Sequence, residues 1–330
     1  MAVLTPLTDD EAARLGARYG LDVVRARGIL AGSVNSNYEL ALRGGGRVFA
    51  RIYEEQTLGT AADEAALLDH LAARGVPTPR PLHLAAARPA SGFVAEHAGK
   101  PVALFPWIDG EILCQARVDA GAARRVGEAL ARVHLAGASY AAKPGRFGPE
   151  QLAARLQRLH ARPDLPPDVA ALLPALDAHL AAIAAAPRRT DGLVHGDLFR
   201  DNVLFRGGEI VALLDFESAS LGSFPFDLMV TVLAFCFGDR LERELARALA
   251  AGYAATRRPA PDELERLYDE ARFAALRFTI TRITDFELRP RGAGVYKDYR
   301  RFLARLDALD RLGPDGLLTL LGLKHSPEVA

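Results

Sequence analysis

The segment Leu193-Val194-His195-Gly196-Asp197-Leu198-Phe199-Arg200-Asp201-Asn202-Val203-Leu204-Phe205 places a histidine, two acids, a guanidinium and a carboxamide on a polar stretch between two apolar runs. A ribbon-like sequence, GGEIVALLDFES, follows, and its Asp215 lies 18 residues after Asp197. An apolar strand, a polar loop, a second apolar strand and a tight Gly207-Gly208 turn bring Asp197, Asn202 and Asp215 to one edge. Phosphoryl transfer asks for such groups: a carboxylate to orient or deprotonate an acceptor hydroxyl, and oxygen ligands for a magnesium ion that bridges the phosphates. Asp197 is therefore the expected base. Asn202 and Asp215 are the expected metal ligands, because hard Mg²⁺ takes one or two carboxylate or carbonyl oxygens and keeps several waters. His195 is expected to support this catalytic segment structurally, and Arg200 adds a cation to the loop.

The elements that must carry these groups are legible on either side. Thr8 and Glu11 have the spacing of a capping box, and the helix they start stops at Gly20. Residues 23–31, 37–42 and 47–53 are β-prone runs separated by a Gly/Ser/Asn turn at 32–36 and by Gly44-Gly45-Gly46, which predicts an antiparallel meander. Residues 60–73 repeat apolar positions at helical spacing, PTPRP at 77–81 forces extended chain, and pieces around Phe93 and at 102–108 complete a small sheet. After Gly110 the chain turns rich in Ala, Leu and Arg. Helices are expected near 119–137, 149–161 and 166–185 and again from 217 to about 311, with a β-prone interruption at 193–216. A small sheet with one helix followed by a helical body is an α+β pattern of two lobes, residues 1–108 and 109–330, with a cleft between them.

Composition narrows the function classes. A chain of 330 residues, half of them apolar, can bury a sizeable core. Its 41 basic and 41 acidic side chains cancel, so no net field draws in nucleic acid or an anionic membrane surface, and neither is expected as a partner. Cys114 and Cys236 are the only cysteines, too few for a disulfide framework and at no metal-ligand spacing, which fits a reducing compartment. The opening MAVLTPLTDDEAARLG is broken by acids and by Pro6 before any long apolar run. A cytoplasmic location is the expectation.

HGDLFRDNVLF with its downstream DFE resembles the catalytic motif of the aminoglycoside phosphotransferase-like kinases, and its Leu-Phe-Arg-Asp-Asn-Val-Leu-Phe run is similar to that of the bacterial homoserine kinases in that superfamily. Three further segments agree: Gly32-Ser33-Val34-Asn35-Ser36-Asn37-Tyr38, RFTITRITDFE at 277–287, and Phe226-Asp227-Leu228. The resemblance implies a protein-kinase-like fold, ATP and Mg²⁺ as cofactors, and a small-molecule acceptor, L-homoserine or a similar amino alcohol. It also implies that the turn residues Ser33, Asn35 and Ser36 cover the phosphates, that Arg51 meets them and pairs with Glu64, and that the hinge backbone from Phe105 through Trp107 to Ile108 reads the adenine edge. Most of the superfamily carries Lys where Arg51 stands, and a guanidinium is the bulkier phosphate contact. Asp227 is either a helix N-cap or a brace for the catalytic-loop backbone.

Charge type bears on the acceptor. The carboxylate of a zwitterion suits a fork-shaped guanidinium, and Arg200, Arg277 and Arg282 are available, with Asp285 as an ammonium partner. A polycationic aminoglycoside would want a dense acidic lining. The stretch 272–305 is instead rich in arginine: Arg272, Arg277, Arg282, Arg289, Arg291, Arg300, Arg301 and Arg305. Another kinase of this superfamily acting on choline, an aminoglycoside or a sugar-like amine is the nearest alternative, and a non-catalytic nucleotide-binding protein, hinted at by Arg51 alone, is the other.

Overall fold

The computed structural model describes residues 3–30, 34–85, 92–185, 188–289 and 296–324, and the chain divides into two compact units. The first comprises Met1–Gly110 with Val211–Leu214. In it the helix α1 (Asp9–Arg18) starts where expected, with the Thr8 hydroxyl accepting from Glu11 N and the Glu11 carboxylate accepting from Thr8 N. Strands β1 (Val23–Ile29), β2 (Ser36–Leu42) and β3 (Arg47–Ile52) form the antiparallel meander, the helix α2 (Leu58–Ala72) follows, and β4 (Val94–His97) and β5 (Lys100–Pro106) complete a sheet of order β1-β2-β3-β5-β4. The turn between β2 and β3 needs Gly45 and Gly46, both at positive φ.

The alternation of the strands decides which residues become core. Tyr38, Leu40, Val48, Ala50, Ile52, Val102 and Leu104 gather with Ala12 and Leu15 of α1. The intervening residues point to the opposite face, where register places Arg51 between Asn37 and Ala103, and Phe49 opposite Phe105. Helix α2 packs against β4 and β5 and buries Glu64.

The second unit, Glu111–Ile210 with Asp215–Ala330, is mostly helical. Its helices are α3 (Ala120–Gly137), α4 (Pro149–His160), α5 (Pro167–Ala184), α6 (Phe224–Phe235), α7 (Arg243–Thr256), α8 (Pro261–Arg282) and α9 (Arg300–Leu321). Between α5 and α6 run the short strands β6 (Gly192–Val194), β7 (Val203–Arg206), β8 (Glu209–Leu213) and β9 (Ser220–Gly222). Strands β6 and β9 pair antiparallel, and β7 turns into β8 through Gly207 and Gly208, both at positive φ. Helix α5 is long and apolar enough to cross a bilayer, but its buried residues, Val169, Leu173, Leu176, Leu180 and Ile183, fall on one stripe, and the helix packs on α4 and α8.

The final helix runs ten residues past the expected end near 311, to Leu321. Its sequence hides a joint: Gly313 leaves helical geometry at φ 66, and Pro314 starts the second segment, where its missing N–H costs nothing. Helix α6 has every residue from Phe224 to Phe235 buried, which accounts for its apolar sequence. Helices α3 and α7 cross at glycines: a Cβ on Gly127 would lie 2.0 Å from Leu249 O, and one on Gly252 would lie 2.1 Å from Arg124 O. Gly127→Ala should therefore force the two backbones apart and cost about 2–3 kcal/mol. A lowered urea midpoint checks this; an unchanged midpoint would mean that the crossing is not held at contact.

Candidate active site

Strand β6 delivers the chain into the loop 195–202, and β9 ties it to the segment that begins at Asp215. Gly196 sits at φ +75, and a Cβ there would lie 2.9 Å from Ser218 O, so only glycine lets the loop approach the 215–218 segment so closely. The His195 ring packs on Phe216, with centroids 4.4 Å apart, and its Nδ1 accepts from Asp197 N at 3.3 Å. Asn202 Nδ2 donates to Asp197 O at 2.8 Å, which turns the amide oxygen Oδ1 away from that bond. Asp215 holds a left-handed backbone, φ 64 and ψ 62, uncommon for a residue with a side chain. Such strain persists where surrounding structure over-determines it, and it gathers at functional sites.

A buried carboxylate braces the loop from behind. Asp227, in the first turn of α6, accepts from His195 N and from Gly196 N, each at 2.7 Å, and His134 Nε2 lies 2.9 Å from it. Tyr253 OH lies 2.7 Å from His134 Nδ1 and accepts from Arg257 at 3.1 Å, so the phenol hydrogen goes to Nδ1 and the imidazole donates from Nε2 to Asp227. Of the two roles read for Asp227, the structure selects the brace; the N-cap of α6 is Ser223, whose hydroxyl accepts from Phe226 N.

Electrostatics separate the two acids. Burial raises the Asp227 carboxyl, but the hydrogen bond from His134, the electrostatic influence of His134 and His195 and the Gly196 amide outweigh it and hold the group below the usual carboxylate range. Burial pushes the Asp197 carboxyl up to about 7, with Asp215 and Asp201 adding to the rise and Arg277 and Lys297 opposing it. Asp197 is thus the loop carboxylate poised to exchange a proton near neutrality.

Asp197, Asn202, Asp215 and His195 are brought together as the sequence implied. Arg51 and Glu64 also meet, at 3.4 Å. Arg277, expected at the acceptor, is buried instead: its guanidinium donates to Gly196 O and lies 4.3 Å from the Phe147 ring and 4.2 Å from the Phe278 ring. Burial lowers it to about 10, where it still carries its charge beside Asp197. Arg200 departs from expectation. Its guanidinium turns to Gln115 Oε1 and to Ala234 O, at the C-terminus of α6. Arg305 binds Leu233 O and Phe237 O, and Gln115 binds Phe235 O, so these side chains satisfy the carbonyls that the end of α6 leaves without helical donors. Arg282 likewise holds Asp298 O at 3.0 Å, over the Phe302 ring. Asp285 is paired with Arg155 at 2.5 Å.

Two residues of the glycine-rich turn are also occupied. Ser36 is fully buried; its hydroxyl accepts from Leu4 N and Thr5 N and donates to Glu54, which anchors the N-terminal segment. Asn35 Oδ1 accepts from Glu54 N at 3.3 Å. These bonds commit the Ser36 hydroxyl and the Asn35 carbonyl oxygen to Glu54 and the N-terminal segment, in place of the phosphate-covering role expected of those two atoms; Ser33, with Gly32, and Arg291 lie outside the described residues. Phe105 is buried in β5, while Trp107 and Ile108 follow the strand's end, the indole donating to Asp109 and stacking under Arg47 at 4.4 Å. The brace at Asp227 was among the roles read from the sequence, but its partner His134 was not. His134 lies inside a helical run with nothing to mark it.

The chain matches the model of a family described as "Phosphotransferase enzyme family" over residues 25–267. It is 33% identical to a homoserine kinase of Methylocella silvestris, covering 95% of this chain and 97% of that protein. It is 35% identical to a homoserine kinase of a Caulobacter species, covering 92% and 96%. Among solved structures, amicoumacin kinase hAmiN in complex with AMP-PNP, Ca²⁺ and Ami has a TM-score of 0.64 at 18% identity, covering 88% of this chain and 89% of that one, a likeness of fold. The antiparallel sheet of the first unit and the helical second unit are the two parts of that kinase-like fold.

The Asp227 geometry yields an expected outcome. Asp227→Asn puts an amide N–H₂ where a second acceptor oxygen stood, against one of three donors, and should cost roughly 3 kcal/mol at neutral pH. Because the folded carboxyl lies below its ordinary value, the native advantage is full above the unfolded pKa of about 3.9 and drains away as pH falls below it. Urea titrations of both proteins over a pH series check the sign; a difference that grows on acidification would refute it.

Proposed function

The chain belongs to the phosphotransferase enzyme family, and from that footing we propose that it transfers the γ-phosphate of ATP to the hydroxyl of L-homoserine. The observation that carries the reading is the convergence of Asp197, Asn202 and Asp215 on one braced loop and the segment packed against it. The near-full-length similarity to proteins named homoserine kinase supports the choice of acceptor. The argument from charge agrees, since the cations Arg277 and Lys297 act on Asp197 in the second unit.

Asp197 accepts a hydrogen bond from the acceptor hydroxyl, aligns it for in-line attack and takes up its proton as the hydroxyl oxygen bonds to the γ-phosphorus and the bond from that phosphorus to the β–γ bridging oxygen breaks, releasing ADP. His195 and Asn202 fix the Asp197 backbone from either side, and Arg277 holds the loop carbonyl at Gly196 while its charge opposes the effect of burial on Asp197. The donor set fits Mg²⁺: the Asn202 amide oxygen, left free of the Asn202–Asp197 bond, and the Asp215 carboxylate offer the one or two hard oxygens that a phosphate-bound magnesium needs. Bound there, the ion supplies charge neutralisation on the phosphate oxygens. Within the first unit, Arg51, oriented by Glu64, is the cation for the phosphates, and the backbone at 105–108 reads the adenine. A cytoplasmic location is part of the reading and fits two free cysteines, one of them exposed.

Asp197→Asn should lower kcat by roughly 10²–10⁴ while leaving the affinity for ATP nearly unchanged. Coupled-assay turnover together with nucleotide titration measures both, and undiminished turnover would exclude the base role. An acceptor panel run with the unmodified protein tests the substrate: product from another hydroxylated amine and none from L-homoserine would overturn the assignment.

A further inference from the structure

Three guanidiniums converge on one aromatic ring in the second unit. Arg146, Arg155 and Arg277 lie 5.1, 5.7 and 4.3 Å from the centroid of Phe147. Arg277 donates to Gly196 O, so Phe147 stands one guanidinium away from the loop that carries Asp197. Like charges repel, and burying Arg277 beside two more cations is unfavourable unless anions complete the arrangement. Asp197 faces Arg277 from the loop, Glu217 lies 3.5 Å from Arg146, and Asp285 lies 2.5 Å from Arg155.

Arg277 is committed to the loop, and Arg200 and Arg282 are committed to backbone carbonyls. Arg146 and Arg155 are not tied down in that way: their carboxylate partners are themselves partly exposed, 24% for Glu217 and 34% for Asp285. The local backbone is irregular where it presents one of those partners. Helix α8 passes into a π-helical turn at Ile283–Glu287, which carries Thr284 and Asp285, and Arg155 donates to both. Single π turns inside helices frequently mark functional sites, because the widened turn re-aims side chains that an α-helix would space evenly.

We propose that the ring of Phe147 centres the acceptor-recognition subsite, in which Arg155 and Arg146 bind the acceptor's carboxylate and Asp285 and Glu217 bind its ammonium group. This rests on the reading of L-homoserine as acceptor and names the residues that select an amino acid over an amino alcohol. The two ion pairs hold two cations and two anions side by side, and a zwitterion offers one charge complementary to each sign. Arginine suits the first task because its planar fork meets both carboxylate oxygens and stacks on a ring at once. An amine without a carboxylate would leave the guanidiniums with no new partner; a hydroxy acid without an amine would leave the two acids so.

The test compares three acceptors in the full-length protein: L-homoserine, the amino alcohol that lacks its carboxylate, and the hydroxy acid that lacks its ammonium group. Arg155→Met should raise KM for L-homoserine and for the hydroxy acid by about ten- to a hundredfold, with KM for ATP and for the amino alcohol little changed. Asp285→Asn should raise KM for L-homoserine and the amino alcohol and spare the hydroxy acid. Arg155→Lys, which keeps charge but not the fork, should fall between wild type and Arg155→Met, and thermal melting of each variant separates loss of recognition from loss of fold. Turnover of L-homoserine with the same selectivity in Arg155→Met as in wild type would overturn the subsite and leave the acceptor assignment standing. No product from L-homoserine with the unmodified enzyme, while another acceptor is used, would overturn both.

Discussion

The second unit depends on one buried negative charge. An isolated carboxylate removed from water is costly, and it persists only when donors replace its hydration. Asp227 recovers that cost through two successive loop amides and an imidazole, and those amides belong to His195 and Gly196, immediately before Asp197. Each end of the arrangement is itself fixed. His134 is held by Tyr253 on α7, and α3 reaches α7 only because Gly127 and Gly252 allow the two backbones to touch. A helix crossing thus bears on where the Asp197 carboxylate sits, through a chain of hydrogen bonds from Tyr253 and His134 to Asp227 and the loop amides.

With the loop pinned from behind, its front can hold groups in states that a free chain would not sustain. Asp197 is displaced toward neutrality by burial at the same loop whose neighbouring brace, Asp227, is held ionised. The difference lies in donors: Asp227 accepts from amides and an imidazole, whereas Asp197 faces Arg277 and Lys297 across space with two other acids nearby. Pairs of acids driven apart in this way are how a fold keeps one as structure and leaves the other for chemistry. The left-handed backbone at Asp215 belongs to the same constraint, because the close packing of Gly196 on Ser218 leaves the segment little freedom.

The elements were largely legible from the sequence, because periodicity and punctuation are local signals. The capping box at Thr8, the triglycine turn and the Gly207-Gly208 hairpin each state their geometry within a few residues. The placement of Asp197, Asn202 and Asp215 near one another was legible too, since spacing within one strand-loop-ribbon unit fixes it. Roles that depend on where a long side chain points were not. Arg200 sits on the catalytic loop, yet its guanidinium serves the end of α6; the demand comes from carbonyls more than thirty residues away, which no local pattern reveals. Ser36 and Asn35 lie in a glycine-rich turn, but the requirement of Glu54 and the N-terminal segment for partners claims both. The expected end near 311 falls just before Gly313-Pro314, where the proline opens a new helical segment after a one-residue break.

The arginines of the late segment carry the same lesson into specificity. Counted along the chain they look like one basic surface, and their chemistry would suit any anion. Folding sorts them by what each can reach. Arg282 and Arg305 spend their donors on backbone carbonyls, where a lysine's three diverging protons would serve less well than a planar fork spanning two acceptors. Arg277 is consumed between two rings and a loop carbonyl, and its charge acts on Asp197 from a position that no acceptor needs to occupy. The guanidiniums proposed for recognition lie outside the arginine-rich stretch: Arg146 and Arg155 around Phe147, each already beside a carboxylate. A count of charges therefore bounds the class of acceptor, but what each guanidinium can reach follows from the partners the fold gives it.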